Sequence, residues 1–186
     1  MKRIFDFIIA FIASLLLLPL MLLVAFLVKI TSPGPVLYWS KRVGRYGKYF
    51  RMPKFRSMLV DTPNVASHLL KDHLMYLTPI GATLRKLSLD EMPQLWSILI
   101  GDMSFVGPRP ALFNQIDLIK LREEFAINNL KPGLTGLAQI NGRDDLSLIE
   151  KVNFDREYFN KQSMYFDIKI ILTTFIKVIL CKNVSH

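Results

Sequence analysis

The sequence predicts a helix-rich α+β protein attached to a membrane from one side. Three observations predict it. Phe7–Val28, "FIIAFIASLLLLPLMLLVAFLV", is an apolar run of 22 residues in which only Ser14 is polar. "VLYWSKRVGRYGKYFRMPKFRSM" (Val36–Met58) alternates aromatic and basic residues around two glycines, as short strands with a tight connection do. The tail returns to helical spacing, with Ile168, Ile171, Leu172, Phe175, Ile176 and Ile179 on one face and Lys169, Thr173 and Lys177 on another.

The division predicted is a re-entrant membrane helix-break-helix over residues 1–30 and a single domain with interfacial helices over 31–186. "TSPGPV" (Thr31–Val36) ends the membrane segment, because two prolines and a glycine forbid helix. Residues 60–80 are polar and uneven and predict a helix ending near Thr78-Pro79. "RKLSLDEMPQLWSILIGDMS" holds a helix that stops near Gly101, and "FVGPRPALF" is a loop. Residues 111–129 read as an amphipathic helix, "KPGLTGLAQINGR" as irregular or short strand, and 146–180 as two helices. The last helix suits either the core of a soluble domain or a membrane interface.

The apolar run is long enough to span a bilayer as a straight helix of about 33 Å. Charge argues that it turns back instead. Lys2 and Arg3 precede it, while Lys29, Lys41, Arg42, Arg45, Lys48, Arg51, Lys54 and Arg56 follow it. Basic flanks favour the cytoplasmic side, and a spanning helix would export one of these groups. Pro19 removes the donor for the Leu15 carbonyl and favours a kink or break there. Ser14 lies one turn earlier, where its hydroxyl can reach a carbonyl such as that of Ala10 and bend the helix further. A secretory signal fits poorly, since the run exceeds a usual h-region and "KITSPGPV" follows it.

Composition narrows the partners. The chain has 186 residues and a net charge of +9, which attracts nucleic acid, anionic lipid or phosphorylated substrates. A hydrophobic content of 51% favours the lipid-linked options. No nucleic-acid-binding motif stands out. The lone Cys181 allows no intramolecular disulfide, and His68, His73 and His186 make no zinc pattern.

The chemistry-bearing stretch is "SLDEMPQLW" (Ser88–Trp96), with Asp90 and Glu91 side by side at a helix start. Two readings compete. Ser88-x-x-Glu91 matches a capping box, and acidic residues suit helix N-termini in any case. Pro93 fits a start near Asp90 better than one at Ser88. The other reading is catalytic: Lys54, Arg56, Arg85, Lys86, Arg109 and Arg143 are cations that could gather around a diphosphate, or be ordinary surface charges. A membrane adaptor holding anionic lipid with its basic surface is the non-catalytic alternative.

"KRIFDFIIA", "LVKITSPGPVLYWSKRVGRYGKYFRMPKFRSM", "RKLSLDEMPQLWSILIGDMSFVGPRP", "KPGLTGLAQINGR" and "DREYFNKQSMYFDIKIILTT" together resemble the bacterial sugar transferases, in the small single-domain form of the monotopic phosphoglycosyl transferases. The resemblance covers nearly the whole chain. It implies transfer of a phospho-sugar from a UDP-sugar to polyprenol (undecaprenyl) phosphate, with release of UMP, at the cytoplasmic face of the bacterial inner membrane. It implies Asp90 as nucleophile, Glu91 as its partner, and Mg²⁺ held at Asp90 and Glu91. Lys54, Arg85, Arg109 and Arg143 match phosphate-binding positions, and Pro19 matches the helix-break proline. Membrane phospholipid is an implied partner, and downstream glycosyltransferases are candidate ones. The family often has serine before the break proline; here Leu18 stands there, and Ser14 is the substitute to test.

Overall fold

The computed structural model describes residues 1–63, 73–142 and 145–180. The first helix, α1, runs from Lys2 to Thr31 without interruption through Pro19. The proline therefore costs the helix one hydrogen bond, at the Leu15 carbonyl, and leaves its secondary structure intact. Strands β1 (Leu37–Val43) and β2 (Tyr49–Phe55) pair as an antiparallel hairpin with Tyr38 opposite Lys54. Its connection is a tight turn at Arg45–Gly47 in which Tyr46 (φ 59°) and Gly47 (φ 73°) take the left-handed conformation.

Of the helix expected over 60–80, residues 64–72 lie outside the described set, and His73–Tyr76 forms a 3-10 turn. Helices α2 (Gly81–Lys86) and α3 (Gln94–Ile100) follow, separated by a 3-10 turn at Leu89–Glu91. Gly101 ends α3 where the sequence predicts a stop; its φ of 96° is the left-handed cap conformation that glycine adopts without a Cβ clash. Strand β3 (Ser104–Val106) then pairs in parallel with β4 (Gly133–Thr135), across a connection containing α4 (Ile116–Glu124). The helix expected over 111–129 is thus shorter, and a 3-10 turn at Ile127–Asn129 completes the segment. Helices α5 (Leu137–Ile140), α6 (Leu148–Lys161) and α7 (Met164–Ile179) end the fold. Among the described residues the structure is helix-rich α+β with two small open sheets.

Both ends of α1 are fastened to the same domain. At its start, Arg3 donates to the carbonyls of Ile98 and Leu99, and Lys2 pairs with the buried Asp167. Asp6, buried inside an apolar helix, accepts from Ser104 Oγ at 2.8 Å and from the Phe105 N–H at 3.3 Å. At the other end, Arg56 donates to the carbonyls of Ser32 and Pro33, each at 2.7 Å. Between these anchors one stripe of α1 feeds two core clusters. Ala10 packs with Met52, Leu95, Ile98 and Met103, flanked by Ala13 and Leu17. Val24 and Val28 pack with Phe55 and Leu84, flanked by Met21 and Ala25. A helix that crossed a bilayer would place its ends on opposite sides, so this helix is monotopic.

The outer stripe of α1 is apolar and exposed, with Leu16 76%, Leu22 63% and Phe26 60% accessible. Leaving such side chains in water would forfeit on the order of 1–2 kcal/mol each, which lipid supplies. Helix α7 repeats the design. Asp167 and Ile170 are buried and Ile171 half-buried, while Ile168, Leu172, Phe175 and Ile176 face outward (the Ile179 side chain lies outside the described set). Of the two readings of this helix, exposure supports the membrane interface over the core.

Two outcomes follow. Asp6→Ala strands the Ser104 hydroxyl and the Phe105 N–H and should destabilise the protein by about 2–3 kcal/mol, read by thermal unfolding in detergent. An unchanged midpoint would show that the anchor is dispensable. Tags at the N and C termini should resist protease added outside intact spheroplasts and both be cut after lysis; cleavage of the N-terminal tag alone in intact spheroplasts would mean a spanning helix.

Candidate active site

The Ser88–Trp96 stretch folds in a way its cap signals do not reveal. Ser88 adopts φ 54° and ψ 21°, a left-handed conformation, so it cannot present its hydroxyl as an N-cap does. The capping box read at Ser88–Glu91 is not formed. The same S-x-x-E spacing at Ser147–Glu150 forms one, with Ser147 extended and both reciprocal hydrogen bonds present. Pro93 stands immediately before α3, where its missing N–H costs nothing. Asp90 and Glu91 consequently lie on a single 3-10 turn between α2 and α3, both buried at 5% and 8% accessibility.

Buried carboxylates need partners. Lys54, near the end of β2, places Nζ 2.8 Å from Glu91 Oε1 and 3.9 Å from Asp90 Oδ2. Arg109 Nη1 approaches Glu91 Oε1 at 3.7 Å. Burial lowers the Lys54 pKa below its ordinary value; Glu91 and Asp90 oppose that shift, and the Arg109 and Arg42 charges add to it. The turn is seated on the membrane helix: Leu89 and Met92, on either side of the dyad, pack in the cluster that holds Val24 and Val28.

Arg109 belongs to the loop that follows β3. Gly107 lies against Lys131, Pro132 and Gly133, so closely that a Cβ there would meet the Lys131 carbonyl oxygen at 2.3 Å. Gly133 is crowded in the same way by Gly107. The glycines in "GPRP" and "KPG" are therefore required for two backbone segments to touch.

The other sequence-predicted residues divide. Arg85 is buried on α2, which leads into the dyad turn, and its Nη1 lies 3.4 Å from Met58 Sδ. Arg56, one of the cations considered for a diphosphate, is instead committed to the carbonyls ending α1. Arg143 lies outside the described residues. Ser14 is half-buried and Pro19 exposed, both within α1. Asp90 and Glu91 are the two carboxylates that the structure brings together beside Lys54. Among the described residues no group of three or more His, Cys, Asp or Glu could enclose a metal by itself.

Sequence reasoning missed Arg42 and Arg122, which hold the Arg109 loop by its carbonyls. Among 24 lysines and arginines nothing in the sequence distinguishes them.

The chain matches the bacterial sugar transferase family over residues 1–181. It is similar to the exopolysaccharide production protein ExoY of Sinorhizobium fredii, 39% identical over 98% of this chain and 87% of that protein. It is 36% identical to the uncharacterized sugar transferase EpsL of Bacillus subtilis, over 100% of this chain and 91% of that one. The UDP-glucose:undecaprenyl-phosphate glucose-1-phosphate transferase of Escherichia coli is 40% identical over 95% of this chain, which spans only 40% of that longer enzyme. With a match along almost its entire length, and a buried carboxylate pair beside two cations, the chain belongs to the bacterial sugar transferase family and is a monotopic sugar-phosphate transferase.

Proposed function

We propose that the protein transfers a phospho-sugar from a UDP-sugar to undecaprenyl phosphate, releasing UMP, through a covalent intermediate on Asp90. The observation that carries this reading is the buried Asp90–Glu91 pair bounded by Lys54 and Arg109. The E. coli relative is named for that chemistry with UDP-glucose. A relative in Salmonella typhimurium, 36% identical, is named as an undecaprenyl-phosphate galactose phosphotransferase.

Glu91 is the carboxylate more tightly paired with Lys54, which supports Asp90 as the attacking group. In the first step an Asp90 oxygen attacks the sugar-bearing β-phosphorus. The bond from that phosphorus to the bridging oxygen breaks, and UMP leaves with the electron pair. In the second step an oxygen of undecaprenyl phosphate attacks the same phosphorus. Asp90 returns as a carboxylate, and the sugar is left on a lipid diphosphate. The acceptor is already ionised, so no strong base is needed.

Lys54 and Arg109 offset the charge of the diphosphate approaching two carboxylates. The pair of carboxylates suits Mg²⁺, which commonly takes one or two protein carboxylates and completes its shell with phosphates and water. Bound there, Mg²⁺ would make the phosphorus more electrophilic and reduce repulsion with Asp90. The one-sided α1 and the exposed apolar face of α7 hold the site beside the lipid acceptor. A soluble nucleotide donor places that side in the cytoplasm.

Asp90→Asn should abolish both UMP release and transfer of labelled phosphosugar to protein, with folding unchanged. Retained labelling of that variant would reassign the nucleophile. Lys54 yields a pH outcome. The folded protein releases its proton at a pH where the unfolded chain, with the ordinary value of 10.5, still holds it. Through the window between those values stability from this group rises with pH, while the positive charge at the site is lost. Turnover should therefore fall on an alkaline limb centred below 10.5, and Lys54→Arg should move that limb upward. An unshifted limb in Lys54→Arg would assign the limb to another group.

A further inference from the structure

We propose that Arg42 and the Arg122–Asp155 pair are positioning residues that hold the Arg109 loop by its backbone, so that the Arg109 guanidinium meets the donor phosphates. The proposal rests on the reading of Arg109 as a phosphate-binding group.

The loop "GPRPA" has prolines at 108 and 110. Two of its five residues therefore lack an N–H, and it is poorly able to close on itself through backbone hydrogen bonds. Its carbonyls are met from outside. Pro108 O accepts from the Gly133 N–H at 2.9 Å, and Ala111 O from the Val43 N–H at 2.9 Å. The two carbonyls between them are met by guanidinium groups. Arg122 Nη1 donates to Arg109 O at 2.9 Å, and Arg42 Nη1 donates to Pro110 O at 3.0 Å. Four successive carbonyls are thus fixed by β4, α4 and the end of β1.

Each arginine is itself held. Arg122 directs Nε and Nη2 to Asp155 Oδ2 at 2.9 and 2.6 Å, and both residues are buried. Arg42 donates from Nε to Ser40 Oγ at 2.9 Å, on the hairpin face that also carries Tyr38 and Lys54. A buried ion pair is a weak source of stability, since an apolar pair of equal volume often serves as well. What an arginine adds is a planar fork that can grip a carboxylate and a carbonyl at once, which a lysine ammonium cannot reproduce. Precision matters at this point. Arg109 stands 3.7 Å from Glu91, and a shift of about 1 Å at a catalytic group can cost about 100-fold in rate.

A simple charge effect of Arg42 on the site would persist without Arg109, whereas positioning would not. The test is therefore a double-mutant cycle on the full-length protein in detergent. It reads UMP release from the best substrate in a UDP-sugar panel, with undecaprenyl phosphate as acceptor. Arg42→Ala should lower kcat/KM by about 10-fold or more, with the unfolding midpoint within about 2 °C of wild type. In an Arg109→Ala background the same change should cost less than about 2-fold. Arg122→Lys, which keeps the charge beside Asp155, should show the same loss and the same dependence on Arg109. Should Arg122→Lys fail to fold, the Arg42 arm decides alone. Guanidinium in solution should restore part of the Arg42→Ala loss. Equal fold-losses in both backgrounds, or wild-type kinetics in Arg42→Ala, would overturn the positioning role. Wild-type rates in Arg109→Ala would instead remove Arg109 from the phosphate site, a separate failure of the reading above.

Discussion

The constraint on which the rest depends is the attachment of α1 to the domain along one stripe and at both ends. A helix with so much exposed apolar surface must sit in lipid. A helix with Arg3, Asp6 and the Ser32–Pro33 carbonyls bound to one domain must keep both ends on one side. These demands conflict for a spanning helix and agree for a helix lying against the membrane face. The basic flanks favour the same outcome, since neither Lys2–Arg3 nor the cations after Lys29 then cross the bilayer.

This attachment reaches the chemistry through two short elements. Helix α3 begins just after the Asp90–Glu91 turn, and the Arg3 guanidinium grips carbonyls at its other end. A cation at a helix C-terminus also complements the helix dipole. Strand β2 ends with Lys54 and Phe55; Phe55 packs on Val24 and Val28, and Arg56 binds the end of α1. The dyad and its lysine are each about one turn or one residue from contacts with the membrane helix. The depth at which the dyad sits is therefore set by packing against α1.

The site itself shows how charge is arranged around a buried pair of carboxylates. Burial alone would leave two adjacent carboxylates repelling one another. Lys54 and Arg109 relieve this, and both come from segments distant in sequence. The backbone does as much as the side chains. Gly107 and Gly133 let two chains touch, and the prolines of the Arg109 loop expose carbonyls that Arg42 and Arg122 collect.

Much was legible in the sequence because it depends on local chemistry or on long, ordered motifs. The apolar run with its basic flanks, the hairpin, the stop at Gly101 and the two final helices were all readable from spacing and residue type. Other features required the folded chain. Ser88–Glu91 and Ser147–Glu150 carry the same cap pattern, yet only the second forms a cap, because Lys54 and Arg109 claim Glu91 and Ser88 takes a left-handed backbone. Helical periodicity identified an apolar stripe on α7, but whether it meets core or lipid depended on which face Asp167 and Ile170 bury. Arginines look alike in one dimension; tertiary structure decided that Arg56 binds the end of α1, that Arg42 and Arg122 hold a loop, and that Arg109 reaches the dyad. Local propensity and motif sufficed for what each segment is. Which charge meets which partner was decided by contacts between segments tens of residues apart, and no local spacing rule encodes those.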